Sequence, residues 1–318
     1  MKGQFPLWIP NGPPAAEIPW RDFIVDEHLR EIIAQALQNN RDLKIAALNV
    51  DLTKAMHGIS TASLLPVLNI TGAWFKERVP ADLAPAGSAY TAEKFSVNLG
   101  MSSWEIDFFG RIRSLKDRAL EEYLATIEAK RGFQIMLISY VAQAYLALAA
   151  DREALELVTA TLEAQQESYR LIRKRYDVGM ASEIDLRRIQ SQMETSRGDV
   201  ARYTRQVALD ENALHLLVGS PVKQELLPPG LDSVSPPREF SAGITSEVLL
   251  ERPDVLAAEH RLKAAYANIG AARAAFFPRI SLTTSIGTAS AELSGLFKSG
   301  SGVWNFAPQI VLPVFDAR

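Results

Sequence analysis

Between residues 155 and 217 apolar side chains return every three or four positions. Leu155, Val158, Leu162, Gln165, Tyr169, Ile172 and Tyr176 step in this way without a break. After Gly179 the pattern resumes at Leu186, Ile189, Met193, Ser196, Val200, Tyr203, Val207, Asp210, Leu214 and Leu217. A 3.5-residue period held over two consecutive segments predicts an antiparallel coiled-coil hairpin. Its turn is Val178-Gly179-Met180-Ala181, and Ser182 to Asp185 spells an S-x-x-D start for the returning helix. Segments 111–178 and 182–218 are rich in Ala, Leu, Glu, Gln and Arg, the strong helix formers. At about 1.5 Å per residue the first would reach on the order of 100 Å, a length for which a compact globule has no use.

Elsewhere the period changes to two. Phe95, Val97, Leu99 and Met101 alternate with Ser96, Asn98, Gly100 and Ser102, and Ile280, Leu282, Thr284 and Ile286 alternate with Ser281, Thr283, Ser285 and Gly287. Trp304, Phe306, Ile310 and Leu312 repeat the arrangement, and Leu68, Ile70 and Trp74 do so less cleanly. These are strands with one apolar and one small or polar face. They pair as two hairpins, about 66–79 with 92–108 and about 278–290 with 303–314, joined by loops that carry Pro80, Pro85 and Gly87 or Gly295, Gly300 and Gly302. Proline punctuates the same plan: none of the 17 falls between 86 and 220, where the long helices are expected.

An internal repeat relates the two hairpins. With a constant offset of 212, residues 36–72 align without gaps onto 248–284, and eight positions are identical, among them Asp42 with Asp254, Gly58 with Gly270 and Pro66 with Pro278. Each copy is a helix, a proline that ends it, then a strand. The first copy leaves its second strand through Asp107-Phe108-Phe109-Gly110-Arg111 into the long helix, whereas the second stops at Phe315-Asp316-Ala317-Arg318. A second helical hairpin of about a hundred residues is therefore expected beyond 318. By helix rise, descent through 111–178 is balanced by ascent through 182–218 and 247–277, which puts the strands at one end of a tube, the hairpin tip at the other and the Pro-rich stretch between as a belt.

Composition narrows the chemistry. Lys and Arg number 34 against 37 Asp and Glu, a net charge of −3, which lacks the basic excess that replaces phosphate counterions and argues against nucleic acid. There is no cysteine, so disulfides, thiolate metal sites and thiol catalysis are excluded within the chain. The start, Met1 to Pro10, is too short and too proline-broken in its apolar stretch for a signal peptide. The most apolar window, 133–150, holds Gln134, Ser139 and Gln143 and reads as a packed helix, not a bilayer-crossing one. No H-x-x-x-H pair, G-x-S-x-G or G-x-G-x-x-G occurs, so no catalytic residue, metal or cofactor is expected. Gly295 to Gly302 is a hairpin loop, not a phosphate loop, because a strand follows it. Asp185 is a helix cap or a selectivity carboxylate, and Arg173, Lys174 and Arg175 are a solvated run or a lure for an acidic partner.

Four strands cannot close a barrel, and lipid does not tolerate open sheet edges. Either the strands form a soluble sheet under the helices, or several copies close one barrel; the Ser, Asn, Gly, Thr and Gln of the polar faces suit a wet lumen better than a core. The lipid-facing set is then Phe95, Val97, Leu99, Met101, Ile280, Leu282, Ile286, Trp304 and Phe306, with Trp74, Trp104 and Trp304 as an interfacial girdle. Three chains give twelve strands, an allowed even number.

The sequence resembles the TolC-like outer-membrane efflux channels, and among them the lipoprotein group of resistance–nodulation–division systems. The resemblance rests on Ile18-Pro19-Trp20, Ala36 to Leu43, Trp104-Glu105-Ile106-Asp107-Phe108-Phe109-Gly110-Arg111, Arg175 to Ser182, Glu251-Arg252-Pro253-Asp254-Val255 and Phe277-Pro278-Arg279-Ile280. It implies a mainly helical protein with membrane β-structure: a homotrimer whose long antiparallel coiled-coil helices form a periplasmic α-barrel below a twelve-stranded outer-membrane β-barrel. It also implies a passive duct, not an enzyme, carrying drugs or other toxic solutes from an inner-membrane pump of that class through a periplasmic membrane-fusion adaptor. Val178, Gly179, Met180 and Ala181 would be the tip where the adaptor docks. The group's lipidated N-terminal cysteine does not occur here. The expected plan is an extended segment 1–25, a rising helix 26–65, a β-hairpin 66–109, the helical hairpin 110–218, an equatorial segment 219–246, a second rising helix 247–277 and a second β-hairpin 278–315. The alternative function is a soluble periplasmic coiled-coil scaffold or adaptor with no channel.

Overall fold

The protein is described by a computed structural model covering residues 18–238 and 246–315. Of the expected plan, residues 1–17, 239–245 and 316–318 lie outside the described part. The chain divides into two units: one of residues 18–49 and 127–256, and one of residues 50–126 and 257 onward.

The described elements are a single turn α1 (Trp20–Phe23), then α2 (Glu27–Asn39), α3 (Arg41–Ala62), β1 (Asn69–Val79), β2 (Tyr90–Glu105), α4 (Arg111–Asp177), α5 (Glu183–Val218), α6 (Pro253–Ala274), β3 (Arg279–Ser290) and β4 (Gly302–Val311). Short 3₁₀ turns at Gln224–Leu226, Leu231–Ser233 and Ser246–Glu251 punctuate the Pro-rich stretch. The internal repeat is visible in the helix bounds: α3 begins and ends 212 residues before α6, and both are 22 residues long. Pro253 opens α6 because a first-turn residue needs no N–H, so the α-helix starts there and not at 247 as expected.

The expected single helix over 26–65 is two helices. Asn40 breaks it: its backbone N–H closes α2 on the Ala36 carbonyl, while its side-chain oxygen accepts from Leu43 N at 2.8 Å and so caps α3. Its amide nitrogen donates to the Leu217 carbonyl at 2.8 Å, tying this joint to the end of α5. The side chain is buried, so each of these polar groups needs its partner. Gly219 ends α5 in the left-handed region, φ 77°, and an added Cβ there would lie 2.7 Å from the Asn39 carbonyl oxygen. Backbone-to-backbone approach at this crossing requires glycine.

Around that crossing lies the core of the first unit. Leu29, Ile32, Ile33 and Ala36 of α2 repeat at helical spacing and meet Leu137, Val141, Tyr145 and Leu148 of α4 and Leu214 and Val218 of α5. Asp26 caps α2 through Leu29 N at 2.8 Å. Burial, and after it the Asp26 charge, pushes the Tyr145 hydroxyl up to about 12. By length and composition alone α4 is long and apolar enough to cross a membrane. Val141, Tyr145 and Leu148 of that stretch are nevertheless fully buried in protein.

In the hairpin the coiled-coil pattern coincides with burial. Leu155, Val158, Leu162, Gln165, Tyr169 and Ile172 are all half-buried, and Leu186, Ile189, Met193, Ser196, Val200, Tyr203, Val207, Asp210, Leu214 and Leu217 are all half-buried or buried. Tyr176, next to the turn, is exposed.

Asn40→Ala removes a cap and leaves the Leu217 carbonyl unpaired, so it is expected to cost about 2 kcal/mol. The exposed neighbour Gln38→Ala should cost under about 0.5 kcal/mol; denaturant titration of both variants checks the difference.

Candidate functional site

In the second unit the four strands make one antiparallel sheet in the order β1-β2-β3-β4. Register decides which side chains share a face. Ile70 lies opposite Leu99, Leu99 opposite Ile286, and Ile286 opposite Trp304; Trp74 lies opposite Phe95, Val97 opposite Thr288, Met101 opposite Thr284, Thr284 opposite Phe306, and Ile280 opposite Ile310. Directly paired residues point to the same side, so Phe95, Val97, Leu99, Met101, Ile280, Leu282, Ile286, Trp304 and Phe306 all stand on one face. The other face carries Thr71, Ser96, Asn98, Ser281, Ser285, Asn305 and Gln309. On the apolar face Leu99, Ile286, Trp304 and Phe306 are exposed, Ile286 at 66% and Trp304 at 78%, and Phe95, Val97, Met101, Ile280 and Leu282 are half-buried. Among the described residues no helix of the unit packs over it. Among the described residues, the outer edges of β1 and β4 have no partner strand.

Two features of this face escape a period-two reading. A bulge between Met101 and Trp104 inserts one extra residue opposite β3, with Ser103 at φ 54° and its N–H donating to Thr283 Oγ1 at 3.0 Å. It keeps Trp104 on the face of Met101 despite their odd spacing. The three tryptophans, moreover, do not form one row. Trp104 pairs with Leu282 and Trp74 reaches Ser290 through Phe95, while Trp304 stands midway, opposite Ile286. Of the expected girdle, Trp304 therefore sits within the apolar band.

The sheet joins α4 through a corner built of ion pairs. Arg111 donates to Glu105 through two nitrogens at 2.8 and 2.6 Å, a fork on a carboxylate. Asp107 accepts from Ile112 N at 3.1 Å and Arg113 N at 2.9 Å, capping α4. Burial raises the Asp107 carboxyl, but these backbone bonds and the Arg113 guanidinium outweigh it and hold it below the usual carboxylate range. Trp104 Nε1 donates to the Leu64 carbonyl at 3.3 Å, and Phe109 stacks on Phe277 at 4.8 Å, joining the stretch after β2 to the stretch after α6. The Glu105–Arg111 spacing carried no signal in the sequence, because a pair six residues apart belongs to no helical or strand period.

In the first unit, the turn between α4 and α5 is solvent-facing. Val178 is 69% and Met180 77% exposed. Gly179, at φ 72°, ends α4: its N–H reaches the Tyr176 carbonyl and Met180 N reaches the Arg175 carbonyl, the paired bonds of a Schellman ending. A Cβ on Gly179 would meet nothing within 4 Å. Ser182 and Asp185 form a capping box, Ser182 Oγ at 2.6 Å from Asp185 Oδ2 and Asp185 N donating to Ser182 Oγ at 3.1 Å. The Ser182 hydroxyl and then its N–H hold the Asp185 carboxyl below the usual range, so Asp185 acts as the cap. Arg173 is paired with Asp177 at 3.2 Å, whereas Lys174 and Arg175 are exposed.

Of the four histidines, His260 pairs with Glu121 at 2.6 Å. Among the described residues no cluster of three or more His, Cys, Asp or Glu could hold a metal.

Residues 32–220 and 244–318 match the family described as outer membrane efflux protein. The chain is 49% identical over 303 residues to the probable efflux pump outer membrane protein SepC of Pseudomonas putida, covering 95% of this chain and 62% of that protein. It is 42% identical over 306 residues to the outer membrane protein OprJ of Pseudomonas aeruginosa, covering 94% and 63%. The chain thus spans less than two thirds of the length of these relatives. Among solved structures, a membrane protein of Pseudomonas aeruginosa superposes with a TM-score of 0.88 at 40% identity, covering 96% of this chain and 73% of that one. The open state of the Neisseria gonorrhoeae MtrE outer membrane channel superposes with a TM-score of 0.81 at 35% identity, covering 97% and 72%.

A charge on the apolar face should destabilise the membrane-inserted protein far more than one on its neighbour. Phe306→Lys is expected to cost about 2–4 kcal/mol and Asn305→Lys less than about 1 kcal/mol, read by urea unfolding of the lipid-reconstituted protein.

Proposed function

The chain belongs to the outer membrane efflux protein family, and from that premise we propose that it builds the exit duct of a tripartite efflux system. The duct is passive: it carries drugs or other small toxic solutes to the exterior, and an inner-membrane transporter of the resistance–nodulation–division class drives the flow. The observation that carries the reading is the two-sided sheet, with every expected lipid-facing residue on one face, hydroxyl and amide side chains on the other, and two open edges. Outer-membrane lipid covers the first face and water the second. Edges that cannot face lipid unpaired are closed by sister chains, and a homotrimer supplies twelve strands.

The turn at Val178, Gly179, Met180 and Ala181 is the docking point for a periplasmic membrane-fusion adaptor. Its support is local. The Schellman ending presents Val178 and Met180 to solvent, and the open space around Gly179 lets a partner helix approach the backbone closely. No catalytic step is assigned, and solute choice rests with the pump, since a wide aqueous duct needs no specific pocket. The scaffold alternative has no observation in its favour, given the exposed side chains of the apolar face.

Gly179→Trp has room for its side chain and strains only one φ, so trimers should form normally, with a local cost of about 1–2 kcal/mol. Efflux should be lost because the adaptor can no longer approach. Native gels and drug-susceptibility assays on cells carrying the variant test this; unchanged resistance would refute the docking assignment.

A further inference from the structure

The seam between α4 and α5 holds one pair of groups that the duct reading does not use. Heptad spacing puts Asp210 where an apolar residue belongs, between Val207 and Leu214. Asp151 of α4 stands level with it across the seam, because the next residues along, Arg152 and Glu211, pair at 2.6 Å. Gln206 Nε2 donates to Asp210 Oδ1 at 3.0 Å, but Asp210 Oδ2 is shut off from solvent with no donor group on it. The neighbouring cation is already committed: Arg152 gives one nitrogen to Glu211 Oε1 at 2.6 Å and another to the Pro228 carbonyl at 2.8 Å.

Two half-buried carboxylates facing each other disfavour double ionisation, and a proton held between them supplies the missing donor to the shielded Asp210 Oδ2. Burial first, and then the contact with Asp151, holds Asp210 above the usual carboxylate range. The groups around the pair are Arg152 of α4, Gln206 and Glu211 of α5, and the Pro228 carbonyl of the segment after α5. Arg152 and Glu211 offset each other's charge, so no net cation faces the acids.

Position gives the pair its consequence. Toward the end of α5 the seam is closed, with Leu214 and Val218 fully buried against Tyr145 and Leu148. Toward the turn, the α4 side of the seam from Leu155 to Ile172 is only half-buried. The acids stand where the packed core ends and the long arm begins. We infer that Asp151 and Asp210 are a proton-operated clasp at the root of the helical hairpin. Holding one proton, the pair ties α4 to α5; with both acids ionised, their repulsion loosens the root and frees the arm. A group whose proton affinity is raised by folding stabilises at low pH, and that stability is lost as pH rises through its folded pKa. The clasp is therefore tight in acid and slack in alkali.

Hydrogen–deuterium exchange on the full-length protein in lipid nanodiscs, corrected for intrinsic rates, tests this from mildly acidic to mildly alkaline pH. Protection of amides at 148–155 and 206–214 should fall about tenfold for each pH unit above the pair's pKa. In Asp210→Asn, whose amide donates to Asp151 permanently, protection should not change with pH. A flat wild-type profile, or the same step retained in Asp210→Asn, would overturn the clasp. Should that variant fail to assemble, Asp151→Asn serves with the same expectation. Infrared spectroscopy of the wild type reads the proton directly, through the carbonyl stretch of a protonated carboxylic acid that disappears as pH rises. Absence of that band at every pH would also overturn it.

Discussion

A hydrocarbon layer offers no hydrogen bonds, so every backbone N–H and C=O that enters it must be paired by protein. The rest of this structure depends on that constraint. One chain supplies four strands whose three internal ladders are complete, while the outer edges of β1 and β4 are not. The same sheet carries Ile286 and Trp304 exposed on one side and Ser285 and Asn305 on the other, a division that suits a lipid exterior around a wet interior. On the proposed reading a single chain is a sector of a barrel that sister chains close.

Rigid local devices prepare each sector for that closure. The fork of Arg111 on Glu105 and the Asp107 cap turn a strand into a helix within six residues. The Phe109–Phe277 stack joins the exit of β2 to the end of the helix that precedes β3. In the other unit, Asn40 and Gly219 lock α2, α3 and α5 at one crossing, and buried apolar side chains fill the space beside it. The hairpin arm has no such core. It is held by the narrow seam between α4 and α5.

Much of this was legible in the residues because periodicity reports burial directly. The 3.5-residue steps from Leu155 to Ile172 and from Leu186 to Leu217 coincide with the covered faces of α4 and α5, and the alternation at Phe95–Met101 and Ile280–Ile286 names the sheet face. The 212-residue offset even matches the bounds of α3 and α6. What escaped has a common cause: it depends on one residue doing two things, or on partners distant in sequence. Asn40 ends one helix and caps the next, so a continuous apolar period hides the break. The bulge at Ser102 and Ser103 reverses parity within a strand, and the place of Trp304 midway along the face is set by register. Asp210 was visible as a polar intruder in the heptad, but its facing Asp151 was not. Closure by sister chains leaves no mark on a single sequence beyond the unpaired edges it explains.

Because the chain has no cysteine, the closure can be measured by introducing cysteines alone. A set of variants would each carry one cysteine on β1 and one on β4, at positions whose side chains face the lumen, oxidised in membranes and sized on non-reducing gels. Joining of β1 in one copy to β4 in the next predicts that a matching pair yields covalent dimers and trimers and nothing larger, while either cysteine alone yields monomers. A sheet that closes on itself, with the link forming inside one chain, or pairs that yield no link in any combination, would contradict the account.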